Sequence, residues 1–168
     1  HDLVLTTGGV STGEEDHVKS AVENAGSLVF WRIGIKPGRP VALGILRGGG
    51  NDAVFCGLPG NPVAAFVTFV FIVRPLIAQL TGAEPPQMFP VMVRSGFAYK
   101  KKKDRREFVR VSLHRDGEHW IAKKHPQDGA GVITSLTATD GLVALAEETT
   151  RIAEGDALAF YPYANLLA

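Results

Sequence analysis

The first half of the chain mixes short unbroken apolar runs with helical spacing. Leu3-Val4-Leu5-Thr6 is continuous, as expected of a strand covered on both faces. Residues 14–25 follow with Val18, Ala21, Val22 and Ala25 at helical spacing, and Gly26 supplies the stop. Residues 27–35 are rich in β-branched and aromatic side chains and predict a strand, and 41–46 with 53–56 predict a strand pair around a glycine turn. Residues 62–80 are apolar nearly all round. They predict a long helix with Asn61 as N-cap, Pro62 in the first turn and a kink at Pro75. A helix without a polar face needs cover on several sides.

The second half has a different period. Residues 91–99, 107–114, 119–123, 142–146 and 157–161 are short alternating or apolar runs, and Arg115-Asp116-Gly117-Glu118 is a hairpin signal. Five such strands predict a small barrel or sandwich. Between the halves stands Gly82-Ala83-Glu84-Pro85-Pro86, where paired prolines stop both helix and ladder. The expected division is therefore an α/β part over 1–83 and an all-β part over 84–168.

Composition narrows the picture. The chain has 168 residues, with 19 Gly and 10 Pro, 45% hydrophobic and 21% charged, which excludes disorder, collagen and coiled coil. Eighteen basic residues against 17 acidic ones leave a net charge of +1, a poor match for nucleic acid. The basic run Lys100 to Lys103 with Arg105 and Arg106 is then expected at a charged hairpin tip. Cys56 is the single cysteine, so no internal disulfide can form and a reducing, cytoplasmic compartment is expected. The longest apolar run, 63–73, is interrupted by Thr68 and falls short of the ~18 residues of a membrane span. A strand beginning at Leu3 with no preceding partner is expected to pair with chain outside this sequence, and the apolar helix adds to that expectation.

Three loops carry candidate chemistry, each after an expected strand. Thr6-Thr7-Gly8-Gly9-Val10-Ser11-Thr12-Gly13 leads into a helix, so its amides and the helix N-terminus favour an anion, although a tight strand-to-helix turn needs the same glycines. Ile35-Lys36-Pro37-Gly38-Arg39-Pro40 presents two cations on a stiff backbone, or is an ordinary Pro-Gly turn. Gly57-Leu58-Pro59-Gly60-Asn61-Pro62 opens the apolar helix and offers amides and the Asn61 side chain. Strand-end loops of an α/β sheet converge on one crevice, and this set suits a phosphorylated ligand. Asp16 either favours the helix N-terminus by its charge or holds a divalent cation bridging phosphate oxygens. Gly9-Val10-Ser11-Thr12-Gly13 also fits the G-x-S-x-G nucleophile elbow, with His114, His119 or His125 as the base of a serine hydrolase.

These loops, in this order, resemble the third domain of the MoeA-type molybdopterin molybdenumtransferases, the family that includes the gephyrin E domain. The resemblance rests on residues 2–11, 13–19, 30–40 and 57–63, and Arg105-Arg106-Glu107-Phe108-Val109-Arg110 is similar to the family's C-terminal β domain. It implies a partial three-layer α/β molybdopterin-binding domain followed by a small β barrel. It also implies insertion of molybdate into adenylylated molybdopterin with release of AMP, in a homodimer, with the missing upstream domains as partners.

By the same resemblance Asp16 would serve catalysis and bind Mg²⁺, Lys36 would act on the anion, and Arg32 and Arg39 would bind substrate with Gly8, Gly9, Ser11 and Gly13. Pro59, Gly60, Asn61 and Pro62 would form the molybdate pocket, and Arg105 would be contributed by the β domain. Arg32 stands where the family often has Lys, Asp104 where it often has Gly, and Ala130 where it has Ser. A pterin-nucleotide or scaffold-binding module without catalysis is the alternative reading, and neither nucleic acid nor membrane is an expected partner.

Overall fold

A computed structural model of the chain describes residues 1–10 and 17–167. They fall into two compact units: His1–Ile33 with Gly38–Pro86, and Gly34–Pro37 with Gln87–Ala168. In chain order the first strands and helix are β1 (Leu3–Thr7), α1 (His17–Ala25), β2 (Gly26–Arg32), β3 (Ile35–Lys36), β4 (Pro40–Leu46) and β5 (Ala53–Leu58). A helical segment then runs as α2 (Pro62–Thr68), a π-helical stretch (Phe69–Val73) and α3 (Arg74–Thr81).

The first unit is a four-stranded sheet in the order β1-β5-β4-β2, covered on both faces. β1 runs parallel to β5, while β5 with β4 and β4 with β2 are antiparallel. Side chains alternate between the faces with period two. Val4, Leu28, Ala42 and Phe55 meet Val18 and Val22 of α1. Leu3, Val41, Leu43, Cys56 and Leu58 meet Phe69, Ile72, Val73 and Leu76 of the long helix. The unbroken apolar runs of β1, β4 and β5 follow from this double burial.

Pro75 leaves a mark on the turn of the long helix that precedes it. It has no N–H to donate, and its ring crowds the carbonyl four residues earlier. The turn before it widens: the Arg74 N–H reaches back to the Phe69 carbonyl, a π-helical bond. The helix ends at Gly82, whose φ of 71° lets the Ala83 N–H donate to the Ala78 carbonyl at 2.8 Å. Counting unbroken apolar runs understated this segment. Residues Pro62–Thr81 have a mean hydropathy of 2.0 and are long and apolar enough to cross a bilayer. Here Phe69, Ile72, Val73 and Leu76 pack on the sheet.

The second unit contains β6 (Val91–Ser95), β7 (Tyr99–Lys100), β8 (Arg106–Asp116), β9 (His119–Lys124), α4 (Thr134–Thr137), β10 (Gly141–Leu145), β11 (Arg151–Ile152), β12 (Ala157–Pro162) and α5 (Tyr163–Leu167). Strands β8, β10, β12, β6 and β9 close into a five-stranded barrel through the β10–β8 pairing. Val93, Val109, Val111, Ala122, Val143, Leu145, Leu158 and Phe160 fill it. The hairpin at Gly117 forms as expected, with Asp116 opposite His119 and a φ of 57° at the glycine. The run 91–99 is broken instead of continuous, because the Ser95 hydroxyl donates to the Phe97 carbonyl at 2.7 Å and turns the chain.

Two features depart from the sequence reading more strongly. The strand expected over 27–35 ends at Arg32, and Ile35 with Lys36 of the expected loop forms a separate β3 that pairs in parallel with β8. Lys101, expected at an exposed basic tip, is only 8% exposed. Its ammonium donates to the carbonyls of Lys102, Glu147 and Thr149 at 3.2, 3.1 and 2.7 Å, so it ties one loop to another. Replacing Leu145, 3% exposed in the barrel core, by Ala is expected to lower stability by about 2–5 kcal/mol. Ile133→Ala, at a 59% exposed position, is expected to stay within about 0.5 kcal/mol, and urea unfolding of both variants checks the contrast.

Candidate functional site

The parallel pairing of β1 with β5 brings two of the glycine loops together. The Gly8 N–H donates to the Leu58 carbonyl at 2.9 Å, continuing the ladder into the loops. Gly8 and Gly9 have φ of 87° and 68°, which a side chain would oppose. A Cβ on Gly60 would lie 3.3 Å from the Gly8 Cα, so the two loops approach backbone to backbone. Antiparallel β4 begins at the same end of the sheet, and β2 ends there with Arg32 opposite Pro40. Gly8, Gly9, Arg32, Arg39, Pro59, Gly60, Asn61 and Pro62 therefore share one edge of one sheet. Pro59 is buried, whereas Gly60, Asn61, Arg32 and Arg39 are exposed.

Asn61 occupies the N-cap position of α2, but its side chain makes no capping hydrogen bond. That corrects its expected structural role and leaves the amide exposed at the helix start. Among the described residues, neither Arg32 nor Arg39 engages its guanidinium in a hydrogen bond or ion pair. The Arg39 carbonyl accepts from the Ile33 N–H at 3.0 Å, which fixes the loop base. The edge thus offers loop amides, a helix N-terminus and two cations, a set that suits an oxyanion or phosphate. Ser11, Gly13 and Asp16 lie outside the described residues.

Lys36 and Arg105 are not the free loop cations that the sequence suggested. Both converge on Glu107, whose side chain is 2% exposed. The Lys36 ammonium donates to Glu107 Oε2 at 3.2 Å and to the Tyr99 hydroxyl at 3.3 Å, and that hydroxyl donates to Oε2 at 2.9 Å. Arg105 donates to Oε1 from Nε at 2.7 Å, and its terminal nitrogen lies 2.6 Å from the same oxygen as an ion pair. Burial alone would push the Glu107 carboxyl up, but the donors Tyr99, Lys36 and Arg105 outweigh it and hold it below its ordinary value. Burial likewise pulls Lys36 down, and its contacts with Tyr99 and Glu107 win, leaving it raised. The Lys36–Pro37 peptide bond is cis.

Glu107 and Tyr99 were missed as site residues. The available signal was phase: Glu107 alternates with Val109 and Val111, so an acid occupies a core-facing register. Arg110 is another buried charge, donating to the carbonyls of Gly129 and Gln127 and to the Ser135 hydroxyl, and it shapes the 127–135 loop. Among the described residues no group of three His, Cys, Asp or Glu side chains is placed to hold a metal ion. No histidine there is hydrogen-bonded to a carboxylate, as a hydrolase triad requires. Burial pushes the Cys56 thiol up to about 11, which leaves it unreactive.

Comparison with known proteins matches two successive stretches of the chain. Residues 1–79 match the family model described as "Probable molybdopterin binding domain", and 92–163 match the one for the MoeA C-terminal region, domain IV. A molybdopterin molybdenumtransferase of Haemophilus influenzae is 36% identical over 99% of this chain and 41% of its own length. The molybdenum cofactor synthesis protein cinnamon of Drosophila melanogaster is 32% identical over 89% of the chain and 24% of its own length. A crystal structure of the molybdopterin biosynthesis MoeA protein from Pyrococcus horikosii superposes with a TM-score of 0.74 at 27% identity, covering 96% of this chain and 37% of that one. The chain spans well under half the length of these relatives.

The depressed Glu107 value has a signed consequence. Its ionised form stabilises the fold above the ordinary carboxyl value of 4.5, and that contribution is lost as pH falls through the lower folded-state value. Urea midpoints measured downward from pH 5 are expected to fall more steeply for the native chain than for Glu107→Gln. Parallel curves would show that Glu107 is not the group that titrates.

Proposed function

The chain belongs to the MoeA-type molybdopterin molybdenumtransferase family, and from that premise we propose that it acts in molybdenum cofactor biosynthesis, inserting molybdate into adenylylated molybdopterin with release of AMP. The observation that carries the reading is the common sheet edge, where Gly8 meets Gly60 and α2 begins. Ligands of open α/β sheets bind outside the carboxyl ends of the strands, and β1 and β5 both end there. In this reading the glycine amides and the α2 N-terminus hold phosphate oxygens, and Arg32 and Arg39 neutralise their charge. We assign Lys36 and Arg105 to the anion as well, each as a residue of the second unit. The catalytic role of Asp16 and its binding of Mg²⁺ belong to the proposal. The described residues add no further ligand group, so no step is assigned to the ion.

Arg39→Ala is the direct test, because its exposed guanidinium has no partner to lose among the described residues. In the intact protein the variant is expected to fold with unchanged stability, within about 0.5 kcal/mol, and to bind molybdate about tenfold more weakly. Molybdate-dependent AMP release, read by chromatography, is expected to fall with it. Native affinity in Arg39→Ala would remove that residue from the site. Binding of the pterin nucleotide with no AMP release from the native protein would replace the transferase by a binding module.

A homodimer in the cytoplasm completes the proposal. Its support is an outer strand and helix that leave Leu5, Ile77 and Leu80 at 40, 37 and 43% exposure on one unit. Light scattering of the intact protein is expected to give twice the monomer mass, and a monodisperse monomer would refute it.

A further inference from the structure

We propose that Glu107 is a positioning residue, whose buried carboxylate orients the Lys36 ammonium and the Arg105 guanidinium so that their remaining N–H groups face an incoming oxyanion. The inference deepens the functional reading above and rests on it.

Its geometry comes from strand pairing. Lys36 and Glu107 are register partners across the β3–β8 ladder, so their side chains emerge side by side. The carboxylate is 2% exposed, while Lys36 and Arg105 are 42 and 31% exposed. The anion is therefore sealed in and the cations reach outward. Two positive charges face one negative charge, which leaves the cluster one charge in excess. Donors are in excess as well. An ammonium has three N–H groups and Lys36 uses two of them, on Glu107 and Tyr99. A guanidinium has five and Arg105 spends one on Oε1, with a terminal nitrogen paired to the same oxygen at 2.6 Å. One ammonium and four guanidinium N–H groups make no other hydrogen bond among the described residues, on side chains already held by the bonds to Glu107. A lysine held this way has surrendered its rotamer freedom before the ligand arrives, which is how preorganisation strengthens binding.

The sign of one substitution separates this role from plain electrostatics. Glu107→Gln removes a negative charge, so charge alone predicts tighter binding of an anion. Positioning predicts the reverse. In the intact protein, calorimetric titration with molybdate as the probe is expected to show about tenfold weaker binding in Glu107→Gln. Glu107→Asp, which keeps the charge, is expected to recover part of the loss. Tyr99→Phe keeps the aromatic volume but removes the hydroxyl between Lys36 and Glu107, and is expected to weaken molybdate severalfold. It serves the same purpose should Glu107→Gln fail to fold. Lysine NMR supplies a readout that needs no ligand: the Lys36 ammonium is expected to titrate at lower pH in Glu107→Gln. Native or tighter molybdate binding in folded Glu107→Gln or Tyr99→Phe overturns the proposal. If Lys36→Ala weakens molybdate and those variants do not, the functional reading stands and the positioning role falls. If Lys36→Ala and Arg105→Ala both bind molybdate normally, the reading of these cations falls and takes the positioning role with it.

Discussion

A carboxylate sealed into a barrel is unstable as an ion unless cations and donors come to it, and Glu107 draws in three side chains. Arg105 is local, two residues upstream, and Tyr99 precedes it by a few more. Lys36 comes from 71 residues away in the chain. It arrives on β3, a two-residue strand separate from the one expected over 27–35, which runs along β8 and groups 34–37 with the barrel. The barrel's own strand pairing does not require β3, but the charge inside it does.

The sheet of the first unit depends on a simpler rule. Parallel strands place the loops that follow them on the same edge, so β1 and β5 deliver Gly8 and Gly60 to one place whatever lies between them. The antiparallel return through β4 and β2 adds Arg39 and Arg32 to that edge. Positive φ at Gly8 and Gly9 and the missing Cβ at Gly60 then let the backbones approach closely enough to expose amides. Binding chemistry here is a consequence of strand direction.

Pro75 shows how a local breaker is absorbed by a packed environment. The misfit falls on a π-helical turn whose Phe69, Ile72 and Val73 stay seated on the sheet. Lys101 shows the same priority of packing: three carbonyls satisfy its ammonium, so a residue that reads as solvated surface is held inside.

Most strands and both main helices were legible because each rests on a short apolar run or a helical period within one segment, as in 41–46, 53–56 and 18–25. The glycine and proline loops were legible too, since their backbone constraints are local and few residues meet them. Hidden from the sequence were β3, the burial of Lys101 and the sharing of Glu107 by Lys36 and Arg105. Each depends on a partner distant along the chain, and neither a period nor a propensity encodes which distant charge a buried group will meet. Sequence alone thus determined the elements and the chemical character of the loops. Only the tertiary structure decided which cations remain open at the sheet edge and which are bound to a carboxylate, because that choice is made by desolvation and pairing after the chain has folded.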